Sequence, residues 1–468
     1  MSQVKIEIES PIFSRILKGA DLIKTCLSFT SEYFQRTQFR TVRKEYKKNL
    51  IKGGIIYTGW IDRIEKFCSR NGLTLDVEVS DLMLALDNEV MPNLLAKLPA
   101  VEGFVELRPE QMRQVSAAIE KRRGYIVAPM GLGKTIEFMA ILKAFEKYNC
   151  LVSVPGISIL SKTIQDLKKF QFKNVNQLGE GQRTVKKGIS VATMQTLRTL
   201  DLINLSGFWD VFIGDELHLA VKEASTYEKI LSQLLCPIRL GFTATFPKNE
   251  ERALIAEGII GPIINQISFE ESESLGVTMK PKIEFITIPF DKKINELRKF
   301  PEIYKEGIVT NTIRSRKIIA KAKELIEKRG KTVLIFSSER SLEHGQILLE
   351  MAIKSGLEVE YVRGETKGIE REKILKRIEN KELKIVIATR VWREGINIRS
   401  LGGMINAKGG KAEEGTGGDE GLLQGIGRLL RTCEGLDEVV YVDCLDPYRY
   451  LSDHTVSRIA LYVEMGWM

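Results

Sequence analysis

The sequence predicts an α/β protein with two successive parallel-sheet domains behind a small N-terminal α+β module. Three observations carry this. From Phe104 onward, short apolar runs alternate with amphipathic helical stretches. The same rhythm restarts after Lys280 and Pro281, while the first hundred residues lack it. Strands buried on both faces read as near-continuous apolar runs, and helices between them imply the crossovers of a parallel sheet.

Taken in order, residues 1–100 hold strand-like runs at 4–8, 54–57 and 73–79 around a helix-like stretch at 61–69. Residues 88–99 carry two prolines and read as the exit from that module. Residues 101–285 hold strands expected at 125–128, 151–154, 189–192, 211–213 and 240–243. Residues 286–468 hold strands at 333–336, 359–362, 385–388, 404–406 and 439–443. The stretch 402–421 has eight glycines in twenty residues and predicts a mobile loop.

Composition removes several classes. With 468 residues, 43% of them hydrophobic, the chain predicts a folded multidomain protein rather than a disordered one. No apolar run is long enough to cross a bilayer, and the first residues show no apolar signal core. Six cysteines form no CxxC pair and only three histidines are present, so a zinc site or disulfide framework is not expected. The expectation is a cytoplasmic, monomeric protein with no membrane partner. The formal charge of +9 admits a nucleic-acid partner without demanding one.

The sharpest feature is the run from Ala128 to Thr135, AxxGxGKT, between a strand and a helix. Glycines let the backbone N–H groups of Met130, Gly131, Leu132 and Gly133 converge on phosphate oxygens, and the helix N-terminus adds partial positive charge. Lys134 suits the β- and γ-phosphates of a nucleotide, and the Thr135 hydroxyl suits Mg²⁺. Its metal partner should end a later strand. Asp215 and Glu216 do so: Asp215 for Mg²⁺ through water, Glu216 to orient and deprotonate the attacking water. Gln111, just upstream, has a donor and an acceptor that match the adenine edge.

A second cluster lies at 36–52. Seven basic residues, among them Arg36, Arg40, Arg43, Lys44, Lys47 and Lys48, face one acid, Glu45, with aromatic residues interleaved. That composition suits a grip on duplex DNA; it also fits a solvated charged face over a small core. The rival basic window 314–331 has helical spacing and reads as a solvated helix face.

In their order these motifs resemble the superfamily 2 helicases over residues 104–446. Arg108–Gln111 resembles the Q-motif, the glycine loop motif I, Val154 and Pro155 motif Ia, and Thr193 with Gln195 motif Ic. Asp215–His218 resembles motif II in its DExH form, and Thr243–Thr245 motif III. Ser337 lies where motif IV stands and Thr389, Gly395 and Asn397 where motif V stands, with Asn397 replacing the usual Asp. Gln424, Arg428 and Arg431 lie in a stretch that resembles motif VI, with Gly425 where Arg is frequent. Residues 55–68 and the tail after Asp446 are similar to phage UvsW-type branch-migration helicases.

The resemblance implies two RecA-like domains that hydrolyse ATP with Mg²⁺. It implies Arg108, Gln111, Gly395 and Asn397 as nucleotide contacts, and Arg428 and Arg431 as arginine fingers. It implies His218, Thr243, Thr245 and Gln424 as coupling residues, and Pro155, Thr193, Gln195, Ser337 and Thr389 as sequence-nonspecific DNA contacts. The expected function is remodelling of branched DNA. An RNA helicase, a duplex translocase that does not separate strands and a non-catalytic ATP-switched DNA-binding protein remain as alternatives; protein partners stay unassigned.

Overall fold

The computed structural model describes residues 3–36, 41–80, 106–129, 131–217, 224–247, 249–338, 341–366, 368–389, 401–412 and 438–468. By contact the chain divides into two compact units. One holds Met1–Ala128 and Gly133–Ile267, the other Pro129–Leu132 and Ser268–Met468.

The first unit begins with a four-stranded sheet. β1 (Gln3–Ile8) pairs antiparallel with β2 (Phe13–Lys18), which pairs with β5 (Ile55–Tyr57); β6 (Thr74–Val79) joins β1 in parallel. Val4 and Ile6 point inward at the two-residue period of a strand and meet Ile64 and Cys68 of the helix Ile61–Arg70. Between them, β3 (Ser28–Arg36) and β4 (Thr41–Asn49) form a two-stranded antiparallel hairpin. The basic window therefore lies largely on a strand. Its Thr, Val and Tyr residues favour a pleated surface, while its charges hide the apolar alternation that would have announced one.

A seven-stranded parallel sheet follows, in the order β13-β7-β12-β11-β8-β10-β9. Its strands are β7 (Arg123–Val127), β8 (Cys150–Val154), β9 (Val175–Leu178), β10 (Ile189–Thr193), β11 (Val211–Gly214), β12 (Ile238–Thr243) and β13 (Ile263–Gln266). β9 and β13 are short and only partly buried, and the sequence rhythm misses them. One face packs on the helices Pro109–Lys121, Lys134–Ala144 and Ile157–Lys169 through Val115, Phe138, Ile141 and Ile164. The other packs Leu217, Ile230, Ile255 and Ile259.

The second unit has a six-stranded parallel sheet, β14-β19-β18-β15-β17-β16. These are β14 (Pro281–Thr287), β15 (Thr332–Phe336), β16 (Val359–Val362), β17 (Ile385–Ala388), β18 (Leu401–Asn406) and β19 (Val439–Leu445). Two expectations are corrected here. The glycine-rich stretch does not begin as a mobile loop: Leu401–Asn406 is a fully buried strand. A Cβ at Gly402 would lie 3.0 Å from the Lys331 Cβ, and one at Gly403 3.0 Å from a Leu325 methyl. Glycine serves close packing there, not flexibility. Positions 413–421 lie outside the described residues. Arg314, assigned to a solvated helix face, is completely buried in the helix Thr312–Arg329. Its guanidinium donates to both oxygens of Asp446 at 2.8 and 3.2 Å and to the Ala407 carbonyl at 2.5 Å.

Candidate nucleotide-binding site

All strands of a parallel sheet end at one edge, so motifs that follow neighbouring strands converge. β7, β12 and β11 are adjacent, with Val127 opposite Thr243 and Gly241 opposite Gly214. The glycine loop, the Thr243–Thr245 turn and the Asp215–Glu216 pair leave those three strands side by side.

Gly131 and Gly133 take φ of 99° and 88°, the left-handed region that glycine enters without strain. Gly133 caps the helix Lys134–Ala144, whose first turn presents free N–H groups. The Lys134 ammonium lies 3.2 Å from the Ala128 carbonyl and 3.6 Å from a Glu216 carboxylate oxygen. Glu216 itself has φ 47°, a left-handed conformation unusual for a side-chain-bearing residue, and its N–H donates to Asp215 Oδ1 at 3.0 Å. The Asp215 N–H donates to the Ser153 carbonyl of β8 at 2.8 Å, which fixes where the pair leaves the strand. The Thr243 hydroxyl donates to the Thr245 carbonyl at 2.7 Å and closes the turn.

Gln111 is buried against this loop, and a Cβ on Gly133 would sit 2.4 Å from its amide nitrogen. Its Oε1 accepts the Arg108 N–H at 3.1 Å, and Arg108 pairs with Glu110 at 2.9 Å. Sequence reasoning missed the next layer. Glu137 is fully buried one turn beyond Lys134, and burial pushes its carboxyl up to about 8 against the opposing pull of Lys134 and Arg108. With its amide nitrogen turned toward Glu137, Gln114 donates to both carboxylate oxygens at 2.8 and 3.0 Å. The signal was available in Gln111 and Gln114, three apart on one helix face.

The residues present fit a nucleoside triphosphate with Mg²⁺. The cradle is glycine-lined, a lysine stands at the helix N-terminus, and Thr135 and Asp215 offer the hard oxygen ligands that Mg²⁺ takes. Met130, His218, Gly395, Asn397, Gln424, Arg428 and Arg431 lie outside the described residues.

Of the expected DNA contacts, Pro155 follows β8 and Thr193 ends β10, on the same sheet edge as the nucleotide motifs. Gln195 is exposed, whereas the Thr193 hydroxyl is spent on capping, accepting the Thr196 N–H at 3.3 Å. In the second unit, Ser337 and Thr389 follow the paired strands β15 and β17 and are both buried. Lys47 is exposed on the hairpin. Lys48 is held by Glu251 at 2.9 Å and lies over the Phe29 ring. The side chains of Arg36, Arg43 and Lys44, and Arg40 altogether, lie outside the described residues.

Residues 104–248 match the family described as the type III restriction enzyme res subunit, and residues 317–433 the helicase conserved C-terminal domain. The DNA 3'-5' translocase XPB2 of Sulfurisphaera tokodaii is 23% identical over 430 residues, covering 82% of this chain and 93% of that one. Two longer relatives, both TFIIH helicase/translocase subunits XPB, from Enterocytozoon bieneusi and Dictyostelium discoideum, are matched over only 52% and 51% of their length. The structure of Dbp5 from S. cerevisiae bound to RNA and ADP BeF3 superposes with a TM-score of 0.56 at 16% identity, covering 82% of this chain and 94% of that one. The crystal structure of T4 UvsW covers 99% of this chain and 98% of its own at 18% identity and a TM-score of 0.43. The likeness to Dbp5 makes the two sheets tandem RecA-like domains, and the restriction-enzyme res-subunit match followed by the helicase C-terminal match, in this order along the chain, supports a superfamily 2 helicase.

Proposed function

We propose that this chain is an ATP-dependent DNA helicase or translocase that remodels branched DNA, such as forks and four-way junctions. The observation that carries the motor reading is the convergence of three adjacent strand ends, with the Lys134 ammonium 3.6 Å from Glu216. DNA as substrate is supported by the names of the curated relatives, which include a DNA 3'-5' translocase and a putative DNA 3'-5' helicase. The branched-DNA reading rests on residues 55–68 and the tail after Asp446.

The chemistry follows from the side chains. Lys134, released from the Ala128 carbonyl, is drawn to the terminal phosphates. Thr135 and Asp215 would hold Mg²⁺, which supplies neutralisation of developing phosphate charge. Glu216 accepts the proton of the attacking water. Gln111 reads adenine from the helix that abuts Gly133. Arg428 and Arg431, in the stretch that resembles motif VI, would serve as arginine fingers, and such a finger contributes about 10³–10⁵ in rate. The Thr243–Thr245 turn carries the change in phosphate charge toward the edge that holds Pro155 and Thr193.

ATP turnover measured alone and with duplex, forked, four-way and single-stranded DNA and with RNA tests the reading. Stimulation greatest with branched DNA is expected; stimulation by RNA alone would overturn it. The translocase named among the relatives favours a second reading, in which the chain moves along duplex without separating strands. Triplex displacement without strand separation would select that reading.

A further inference from the structure

The N-terminal module grips the two helices that follow the ATP-sensing motifs. The helix Ala224–Leu231 comes after Asp215–His218, and the helix Glu250–Ile259 after Thr243–Thr245. The Tyr57 hydroxyl, largely buried, donates to Glu228 of the first helix at 2.5 Å. The second helix is held at four points. The indole N–H of Trp60, 1% exposed, donates to the Leu254 carbonyl at 2.7 Å. Arg63 donates twice to Glu257, at 2.6 and 2.8 Å. Lys48, on the basic hairpin itself, pairs with Glu251. Gly59 and Gly258 meet face to face: a Cβ on Gly59 would fall 2.2 Å from the Glu257 carbonyl oxygen, and one on Gly258 2.7 Å from the Trp60 ring.

The two helices are also tied to each other from beneath. Arg239, on β12 four residues ahead of Thr243, is fully buried. Its guanidinium donates to the Ile259 carbonyl at 2.9 Å, to the Leu231 carbonyl at 2.9 Å and to the Leu234 carbonyl. One buried cation thus serves the C-terminal ends of both helices, where their dipoles are negative. The pair is bolted to the strand that carries Thr243 and Thr245, and the N-terminal module spans its outer face.

We propose that this clamp, Tyr57–Glu228 with Trp60, Arg63 and Gly59 on the helix Glu250–Ile259, is the coupling element through which DNA on the hairpin β3–β4 changes ATP turnover. It rests on the proposed DNA-dependent motor. A displacement of Asp215–Glu216 or Thr243–Thr245 moves the helices that follow them, and the clamp hands that movement to the hairpin. A phosphate on the hairpin competes with Glu251 for Lys48 and so acts on the N-terminal end of the same helix. Tyr57 and Arg63 are engaged by Glu228 and Glu257; in this proposal both are positioning residues.

The test uses the full chain carrying Tyr57→Phe with Arg63→Gln, which removes three hydrogen bonds and keeps the packing of both side chains. ATP turnover with and without forked DNA and the affinity for that DNA with and without a non-hydrolysable nucleotide are measured together. Stimulation by DNA should fall by about fivefold or more, with basal kcat and KM unchanged, because coupling free energies lie in that range. The effect of nucleotide on DNA affinity should shrink too, by the same factor as its reciprocal, the effect of DNA on nucleotide affinity. Unchanged stimulation in this variant and in Gly258→Ala would overturn the proposal. A parallel fall in basal turnover would overturn it too, by showing that the contacts only hold the fold. A wild-type chain that no DNA stimulates would instead remove the motor reading on which the proposal stands.

Discussion

In the proposed mechanism, Glu216 and Lys134 decide whether the site turns over ATP. The acid Glu216 sits in a left-handed backbone conformation beside Lys134, so its carboxylate is aimed by the turn and not by a flexible loop. Glu216→Gln should lower kcat by about 10²-fold or more while nucleotide still binds, because only the proton acceptor is lost. Single-turnover kinetics with nucleotide-binding titration check this, and retained DNA-stimulated turnover would refute the assigned role. At a different residue the fold makes a pH prediction. His344 is fully buried, and burial, then the Arg314 charge, push its imidazole down to about 3 from 6.5. Its Nδ1 accepts the Ser338 N–H at 3.2 Å, which requires the neutral ring. Below pH 6.5 only the unfolded chain takes up the proton, so this residue's contribution is intact above that value and is lost as pH falls toward 3. Urea midpoints of wild type and His344→Asn at pH 7.5 and 5.5 should show a smaller acid loss in the variant. The sequence displayed Glu216 through its motif. It could not display the environment of His344, because that environment is built by residues from other elements.

At the scale of elements, buried ionic networks hold the C-terminal edge of the second sheet. Asp443 at the end of β19 accepts from Arg458 at 2.6 Å, from Tyr462 at 2.7 Å and from Asn406 of β18 at 3.2 Å. Arg458 also donates to the Cys444 carbonyl at 3.0 Å and to the Gly410 carbonyl, so the helix Leu451–Glu464 is fastened to two strand ends. Arg314 and Asp446 do the same for the helix Thr312–Arg329, from 132 residues away. Removing one partner leaves an uncompensated buried charge, which costs about 3–5 kcal/mol. Arg458→Met should therefore lower the denaturation midpoint by far more than Tyr462→Phe, which removes one hydrogen bond worth about 1 kcal/mol. Equal effects would mean that the network is not held by its charges. Arg458 and Tyr462 lie in the tail after Asp446 that carries the family resemblance. Their pairing is not legible in the sequence, because a helical spacing of charges looks the same whether the face meets water or a buried carboxylate.

Over the whole molecule, charge is modest and local. The formal +9 is spread across 468 residues, yet seven of the 70 basic residues fall within 36–52, a stretch that includes strand β4 of the hairpin. If that hairpin grips DNA, log affinity should fall steeply with log salt, and Lys47→Ala should reduce the slope by about 1. Lys48→Ala should reduce it less, since Glu251 already neutralises that side chain. Binding isotherms across a salt series decide the point, and an unchanged slope for both variants would return the hairpin to a solvated face.

The sequence by itself determined the architecture and singled out the residues of the proposed nucleotide site. Parallel strands buried on both faces write themselves as apolar runs, and a phosphate site needs glycines, a lysine and a hydroxyl contiguous in the chain. Strand order was beyond it, and strand order places Thr243–Thr245 between the glycine loop and Asp215–Glu216. Also beyond it were the edge strands β9, β13 and β14, the buried glycines of β18, and the N-terminal clamp on two helices nearly two hundred residues away. Each of these depends on which elements become neighbours, and neighbours distant in sequence are chosen by packing and hydrogen-bond satisfaction across the folded chain, which no local pattern records.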